Sequence, residues 1–238
     1  MPLVATTRRA AGGILSKTWR LVRDRSYRSA VWLRLAGASA FQLSGRTYEN
    51  RYPYIFSFVQ TELRAIPRAH VLSFGCSTGA EVFWLRRYFP DAVIKGVDVN
   101  GASIAVCRER AKREGDGNVS FAVADSPEGE PPEFYDAIFC MAVLRDGRLS
   151  QPGIERCDRL IRFDDFACMI EGFARSLRPG GLLIIRHSNF RLGDTRAGAA
   201  FRTILQLRDT TGSCPIFGPD NRLIADADYP DTVFRKTA

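Results

Sequence analysis

Two glycines, Gly75 and Gly79, flank Cys76, Ser77 and Thr78 in the stretch VLSFGCSTGAEVFWLRRYFPDAVIKGVDVN, residues 71–100. A second apolar run in the same stretch closes on an acid, Asp98. A glycine turn between a strand and a helix lets the backbone approach a ligand, and a carboxylate ending the next strand suits the paired hydroxyls of a ribose. Each charge-assisted hydrogen bond of that kind contributes about 1.5–3 kcal/mol. Downstream, FAVADS (121–126) ends on Asp125 and Ser126, where a carboxylate can accept from an adenine amino group. FYDAIFCMAVL (134–144) and SLRPGGLLIIRHSN (176–189) bring Met141, Arg145, Arg186, His187 and Asn189 to the ends of two further apolar runs. A lone acid after a strand is most often a cap or a solvated side chain. The whole ordered set points to a nucleotide-like ligand.

The turn discriminates between two such ligands. A dinucleotide such as NAD requires Gly-x-Gly-x-x-Gly/Ala, whose second glycine admits the pyrophosphate against the backbone. Here that register runs Gly75, Ser77, Ala80, and the bare middle position is lost. S-adenosyl-L-methionine has no pyrophosphate, and its amino-acid end needs backbone contacts and room, which a small residue at 77 supplies. The turn favours S-adenosyl-L-methionine over NAD.

Short apolar runs alternating with amphipathic helices predict an α/β fold, a doubly wound, Rossmann-like and mostly parallel sheet. The predicted strands are Val71–Phe74, Val93–Val97, Val119–Val123, Ala137–Met141, Leu182–Arg186 and TVFRK at 232–236. Helices are predicted over Ala80–Tyr88, Ala102–Arg113, Asp165–Leu177 and near Ala199–Leu207, with RPGG at 178–181 as a helix stop and turn. Before the sheet, Ile55, Phe58, Val59 and Leu63 share one face of a further helix within 48–66. The stretch 146–163 is long for a connection and is expected to form a lid or substrate wall.

The order and spacing of these motifs resemble those of the class I S-adenosylmethionine-dependent methyltransferases, over roughly residues 48–238. GCSTGAE and DAIFCMAVL look most like the chemotaxis receptor methyltransferases, although Ala80 replaces the first acid of their turn, and neither their four-helix N-terminal domain nor their small antiparallel insertion is evident. The resemblance implies that Gly75, Cys76, Ser77 and Gly79 shape the methionine end of the cofactor and that Asp98 holds the ribose hydroxyls. It implies that Val99 and Asn100 border the adenine, that Asp125 and Ser126 face its amino group, and that Met141 to Val143 line the passage to the substrate. The packing of Cys76 and Cys140 as small hydrophobes is the simpler expectation for their thiols.

Methyl transfer from a sulfonium is an in-line displacement, so alignment and exclusion of water are the protein's main tasks. His187 follows the fifth strand and is the candidate base or substrate-orienting residue; the alternative is a histidine bonded to a loop carbonyl. Arg145, Arg186 and Asn189 lie near the same rim and are candidates for holding a polar or anionic substrate. No Asn-Pro-Pro-Tyr-type motif follows strand four, which disfavours exocyclic amines of DNA bases. A small-molecule or lipid-linked acceptor is preferred. An NAD-dependent oxidoreductase and a non-catalytic adaptor that keeps the fold and docks through its basic arm stay open at this level.

Charge divides the 238 residues into two parts, an extension at 1–45 and a catalytic domain at 46–238. Of the formal +8, residues 1–34 carry +7, with eight basic side chains against Asp24 alone, so the rest of the chain is nearly neutral. Leu15, Trp19 and Val22 give 14–35 a mixed amphipathic pattern. It reads as a helix covering the sheet or a dimer face, as an arm for an anionic membrane or nucleic acid, or as an organelle-targeting peptide. The near-neutral body disfavours extended nucleic acid as the substrate. Six cysteines without a Cys-x-x-Cys pair and only two histidines predict a reduced, cytoplasmic protein without a metal, at most peripheral to a membrane.

Overall fold

The computed structural model describes residues 50–208 and 214–237, with Ser29 and Phe41 as isolated positions. The amphipathic segment expected at 14–35 and the basic arm fall almost wholly outside the described residues. The chain enters through α1 (Pro53–Leu63), with proline at its first turn, and proceeds through β1 (His70–Phe74), α2 (Ala80–Tyr88), β2 (Val93–Asp98), α3 (Gly101–Glu114) and β3 (Val119–Val123). It continues with β4 (Tyr135–Met141), α4 (Phe163–Ser176), β5 (Leu177–Arg186), β6 (Phe201–Gln206) and β7 (Asp231–Lys236). Among the described residues no helix is long and apolar enough to cross a membrane.

The seven strands form one sheet in the order β3-β2-β1-β4-β5-β7-β6. The first five are parallel, β7 runs antiparallel to β5, and β6 runs antiparallel to β7. Burial runs continuously along β4, along 71–74 of β1 and along 181–185 of β5, because both faces are covered there. On one face Val71, Ile94, Phe139 and Ile184 meet Ile55, Phe56 and Val59 of α1 and Val82 and Leu85 of α2. On the other, Leu72, Ile138 and Leu183 meet Phe166, Ile170 and Phe173 of α4. The edge-to-face pair of Phe74 and Phe173, 5.1 Å between centroids, fixes the second layer close to the strand ends. β1 lies between β2 and β4, so the strand order reverses there and opens a crevice beyond its carboxyl end.

Two expectations are corrected. The segment near Ala199–Leu207 is not a helix. A short 3₁₀ turn at Ala197–Ala200 leads into strand β6, whose ladder with β7 covers a sheet edge that would otherwise stay unpaired. RPGG does not separate helix from strand either. α4 ends at Ser176, and 178–181 form an irregular start to β5, where the register jumps from Tyr135–Leu177 to Ala137–Leu182. The stretch 146–163 is strapped down: Cys157 N donates to Asn221 O (3.0 Å), Leu223 N to Glu155 O (2.8 Å) and Phe163 N to Asn221 Oδ1 (2.8 Å).

Gly172 marks the closest approach of α4 to the loop after β3, since a Cβ there would lie 2.4 Å from Cγ of Pro127. Alanine gains up to about 1 kcal/mol over glycine within a helix, whereas overpacking of a fitted contact costs about 1–3 kcal/mol. Gly172→Ala is therefore expected to lower stability by about 1–2 kcal/mol in urea unfolding. A stabilised variant would show that the loop yields freely.

Candidate functional site

The turn between β1 and α2 is held by backbone and by one carboxylate. Gly75 N and Cys76 N both donate to Val97 O, at 2.7 and 2.9 Å, which folds the turn over the end of β2. Gly75 sits at φ +77, and a Cβ there would lie 2.2 Å from Cγ2 of Val143, so the position requires glycine on both conformational and steric grounds. Gly79, at φ +82, is the residue before α2. Asp98 accepts from Ser77 N through Oδ2 (2.7 Å) and from Asn100 N through Oδ1 (2.8 Å). Burial raises its pKa while these two amide bonds lower it. A carboxylate has about four acceptor directions, so one on each oxygen remains for a pair of hydroxyls.

The other residues expected to border a nucleotide stand at the same edge. Val99 is half-buried, and Asn100 is buried, its Oδ1 capping α3 through Ala102 N and Ser103 N. Asp125 is exposed and Ser126 half-buried just past β3. The thiol of Cys76 is buried, and its pKa is pushed well up by a hydrogen bond with Cys107 and by burial. Cys107 Sγ in turn donates to Ser77 O at 3.2 Å, so both sulfurs serve the packing of the turn. Cys140 is buried inside β4, and burial pushes its thiol up as well. Glycines at 75 and 79 with a hydroxyl side chain at 77, and a carboxylate with spare acceptor capacity, fit a nucleoside whose other end carries no pyrophosphate.

Beyond β4 and β5 the chain turns twice through left-handed residues, Ala142 (φ 59) and His187 (φ 56). Ala142 N donates to Arg186 O at 2.7 Å, and Asn189 N to Leu144 O at 3.0 Å, which knits the two loops together. Met141 is almost fully buried and pairs in register with Arg186. Arg186 donates through Nη1 to Leu207 O at 2.7 Å. The His187 ring lies 6.0 Å from the Tyr52 ring, and His187 also lines a small cavity with Arg186, Cys214, Asp228 and Tyr229. Asn189 requires a correction: it does not present its amide at the rim. It is 1% exposed, its Oδ1 accepts from Asp146 N (2.8 Å) and its Nδ2 donates to Pro215 O (2.7 Å), which makes it a strut beneath Arg145.

Two residues escaped sequence reasoning. Tyr52, just before α1, brings its phenol under the influence of Glu81, Arg51, Arg145 and Arg186, and burial raises its pKa to about 12. Glu81, in the first turn of α2, accepts from Ser73 Oγ at 2.8 Å, and burial raises its carboxyl from the ordinary 4.5 to about 7. The only signal for Glu81 was an acid two places after Gly79, where helix-dipole stabilisation explains it equally well. Among the described residues no group of three or more His, Cys, Asp or Glu side chains is placed to hold a metal ion.

A family model described as a methyltransferase domain matches residues 67–213, more than half of the chain. An uncharacterized protein of Synechococcus is 27% identical over 143 residues, covering 59% of this chain and 30% of its own length. The carboxy-S-adenosyl-L-methionine synthase of Campylobacter curvus is 36% identical over 63 residues, 26% of each chain. The chain thus spans less than a third of the length of these curated relatives. Among solved structures, phosphoethanolamine N-methyltransferase 2 of Haemonchus contortus, with phosphomonomethylethanolamine and S-adenosylhomocysteine, superposes with a TM-score of 0.40 at 24% identity, over 56% of this chain and 28% of that one.

The buried Glu81 has a measurable consequence. Between pH 4.5 and 7 the folded state keeps a proton that the unfolded chain releases, so this residue's contribution to stability falls as pH rises through that window. Glu81→Gln keeps an oxygen for the Ser73 hydroxyl and removes the buried charge. It is expected to be more stable than the parent by on the order of 1–2 kcal/mol at pH 8 and equal to it at pH 4.5. Parallel unfolding curves at all pH values would show that Glu81 stays solvated.

Proposed function

We propose methyl transfer as the chemistry of this chain, which belongs to the methyltransferase-domain family and has the class I S-adenosylmethionine-dependent fold. The acceptor is a small-molecule or lipid-linked compound, and transfer is an in-line displacement at the sulfonium carbon. The observation that carries the reading is the Asp98 carboxylate, bonded once per oxygen to Ser77 N and Asn100 N and left with acceptor capacity for a ribose diol.

In this reading Gly75, Cys76, Ser77 and Gly79 border the methionine end of S-adenosyl-L-methionine and Asp98 takes the ribose hydroxyls. Val99 and Asn100 flank the adenine, Asp125 and Ser126 meet its amino group, and Met141 lines the way to the acceptor. When bound, the cofactor supplies an activated methyl group on sulfur. The chain's own work is to hold the acceptor in line and to keep water out, which lowers the barrier by several kcal/mol. His187 takes the acceptor's proton where it has one to lose, or orients the acceptor, and Arg186 stands beside it. The near-neutral body of the chain, with +7 of its +8 confined to residues 1–34, supports a small or lipid-linked acceptor over extended nucleic acid.

Calorimetric titration with S-adenosyl-L-methionine and with NAD tests the cofactor. Saturable binding of the first and none of the second is expected, with affinity about tenfold or more weaker in Asp98→Ala. Thermal unfolding of the variant checks that the turn still forms. A preference for NAD, or no binding of either, would overturn the proposal. With an acceptor found by labelled-methyl screening, His187→Gln is expected to lower kcat by about a hundredfold or more and leave cofactor affinity unchanged. Undiminished turnover would remove His187 from the mechanism.

A further inference from the structure

Four buried side-chain polar atoms lack a hydrogen-bond partner among the described residues: Tyr52 Oη, Arg145 Nε, His70 Nδ1 and Ser176 Oγ. His70 opens β1 and Ser176 immediately precedes β5, so these two lie at the amino ends of their strands. Tyr52 and Arg145 belong to the opposite, carboxyl edge. Buried donors without protein partners are rare in folded proteins, and a place for a bound group is one of the few physical reasons for them.

Several contacts join the segments that carry the two donors. The Tyr52 ring lies 6.0 Å from the ring of His187, which directly follows Arg186 at the end of β5. The loop carrying Arg145 is tied to the same stretch, through Ala142 N to Arg186 O, Asn189 N to Leu144 O, and Asp146 N to the Asn189 side chain. Arg145 itself is fixed by its own N–H to Val143 O at 2.8 Å, next to the side chain that occludes Gly75. Arg145 and Arg186 both act on the Tyr52 phenol, favouring its ionised form, and the Arg51 guanidinium lies 5.1 Å from the centre of its ring. Arg51, Arg145 and Arg186 thus favour a negative charge at the phenol, and the Glu81 carboxylate opposes it.

We infer that Tyr52 Oη–H and the Arg145 guanidinium are the two donors of an acceptor subsite, which takes a carboxylate or phosphoryl oxygen of the molecule to be methylated. This rests on the methyltransferase reading above. A guanidinium N–H can only donate, and an excess of cationic groups disfavours a cationic partner, so the complementary group is an oxyanion. The subsite positions the acceptor and takes no part in bond making. It stands across the Val143 loop from the glycine turn, and an anion anchored there has its remaining atoms free to face the sulfonium.

The test uses the full chain labelled with [13Cζ]tyrosine, with the Tyr52 resonance assigned by its loss in Tyr52→Phe. Inorganic phosphate and acetate are titrated separately, each with the protein alone and with the protein saturated with S-adenosylhomocysteine. The expected result is a saturable shift of the Tyr52 resonance in both states, with binding about tenfold or more weaker in Arg145→Met and intermediate in Arg145→Lys. The stronger of the two anions identifies phosphoryl or carboxylate chemistry. S-adenosylhomocysteine binding with no Tyr52 response to either anion would overturn the subsite and leave the cofactor reading intact. An anion response that S-adenosylhomocysteine abolishes would assign both donors to the cofactor's own carboxylate and overturn the acceptor role. An anion response in a chain that never binds S-adenosylhomocysteine would support the oxyanion site while sinking the methyltransferase reading.

Discussion

The carboxylate of Asp98 is the joint on which the crevice depends. One oxygen holds the amide of Ser77 and the other holds that of Asn100, so a single side chain fastens the turn after β1 to the start of α3. The geometry is obligatory for the neighbours as well. Ser77 adopts a left-handed conformation (φ 52), a strain that a charge-assisted amide bond helps to offset. Gly75 N and Cys76 N add a second fastening to Val97 O, and the contact of Gly75 with Val143 carries the constraint across to the loop after β4. Three strand ends are therefore positioned by a few short contacts, and a ligand meets a preformed edge. Preformed edges of this kind reduce the ordering cost of binding.

Burial raises the pKa of both carboxylates at this edge, Asp98 and Glu81, although their partners differ. Asp98 is offered two backbone N–H groups that favour its charged form against the cost of burial. Glu81 is offered one serine hydroxyl and a more distant arginine, and burial prevails, moving its titration to about 7. Near neutrality, then, the charge on Glu81 depends on the ambient pH. The arginine-rich surroundings of Tyr52 carry the most positive character when Glu81 is protonated.

The parallel core was legible because burial on both faces leaves uninterrupted apolar runs, and because the helices between them carry a separate period. Val119–Val123 and Ala80–Tyr88 are bounded in the structure as the pattern bounds them. β6 was not legible. Its Phe201, Thr203, Ile204 and Leu205 are only half-buried at a sheet edge, so local periodicity is weak and the deciding factor is the unpaired edge of β7, a strand far along the chain. The site divides along similar lines. Asp98 and the turn glycines answer to backbone requirements that sequence spacing encodes. Asn189 looked like a rim residue because strand ends face ligands, yet its amide turns inward to replace backbone partners that two loops would otherwise lack. Tyr52 and Glu81 acquire their character from α1 packing over α2, a tertiary event that leaves no mark in either local sequence.

The two halves of the crevice are thus built of different materials. The half beside β1 and β2 rests on main-chain amides, glycine conformations and one carboxylate, so its shape follows mainly from the backbone. The half beside β4 and β5 rests on side chains from two short loops and the start of α1, with Asn189 and Arg186 each bonded to main-chain groups of other segments. Ala142 and His187, the left-handed residues that open these loops, turn the chain away from the strand direction. Under the proposed reading, a division of this kind lets the group recognised near Arg145 change through a few side chains while the half beside β1 and β2 stays fixed. In the reading proposed above, acceptor choice falls to Tyr52, Arg145, Arg186 and His187 rather than to the motifs that announce the family.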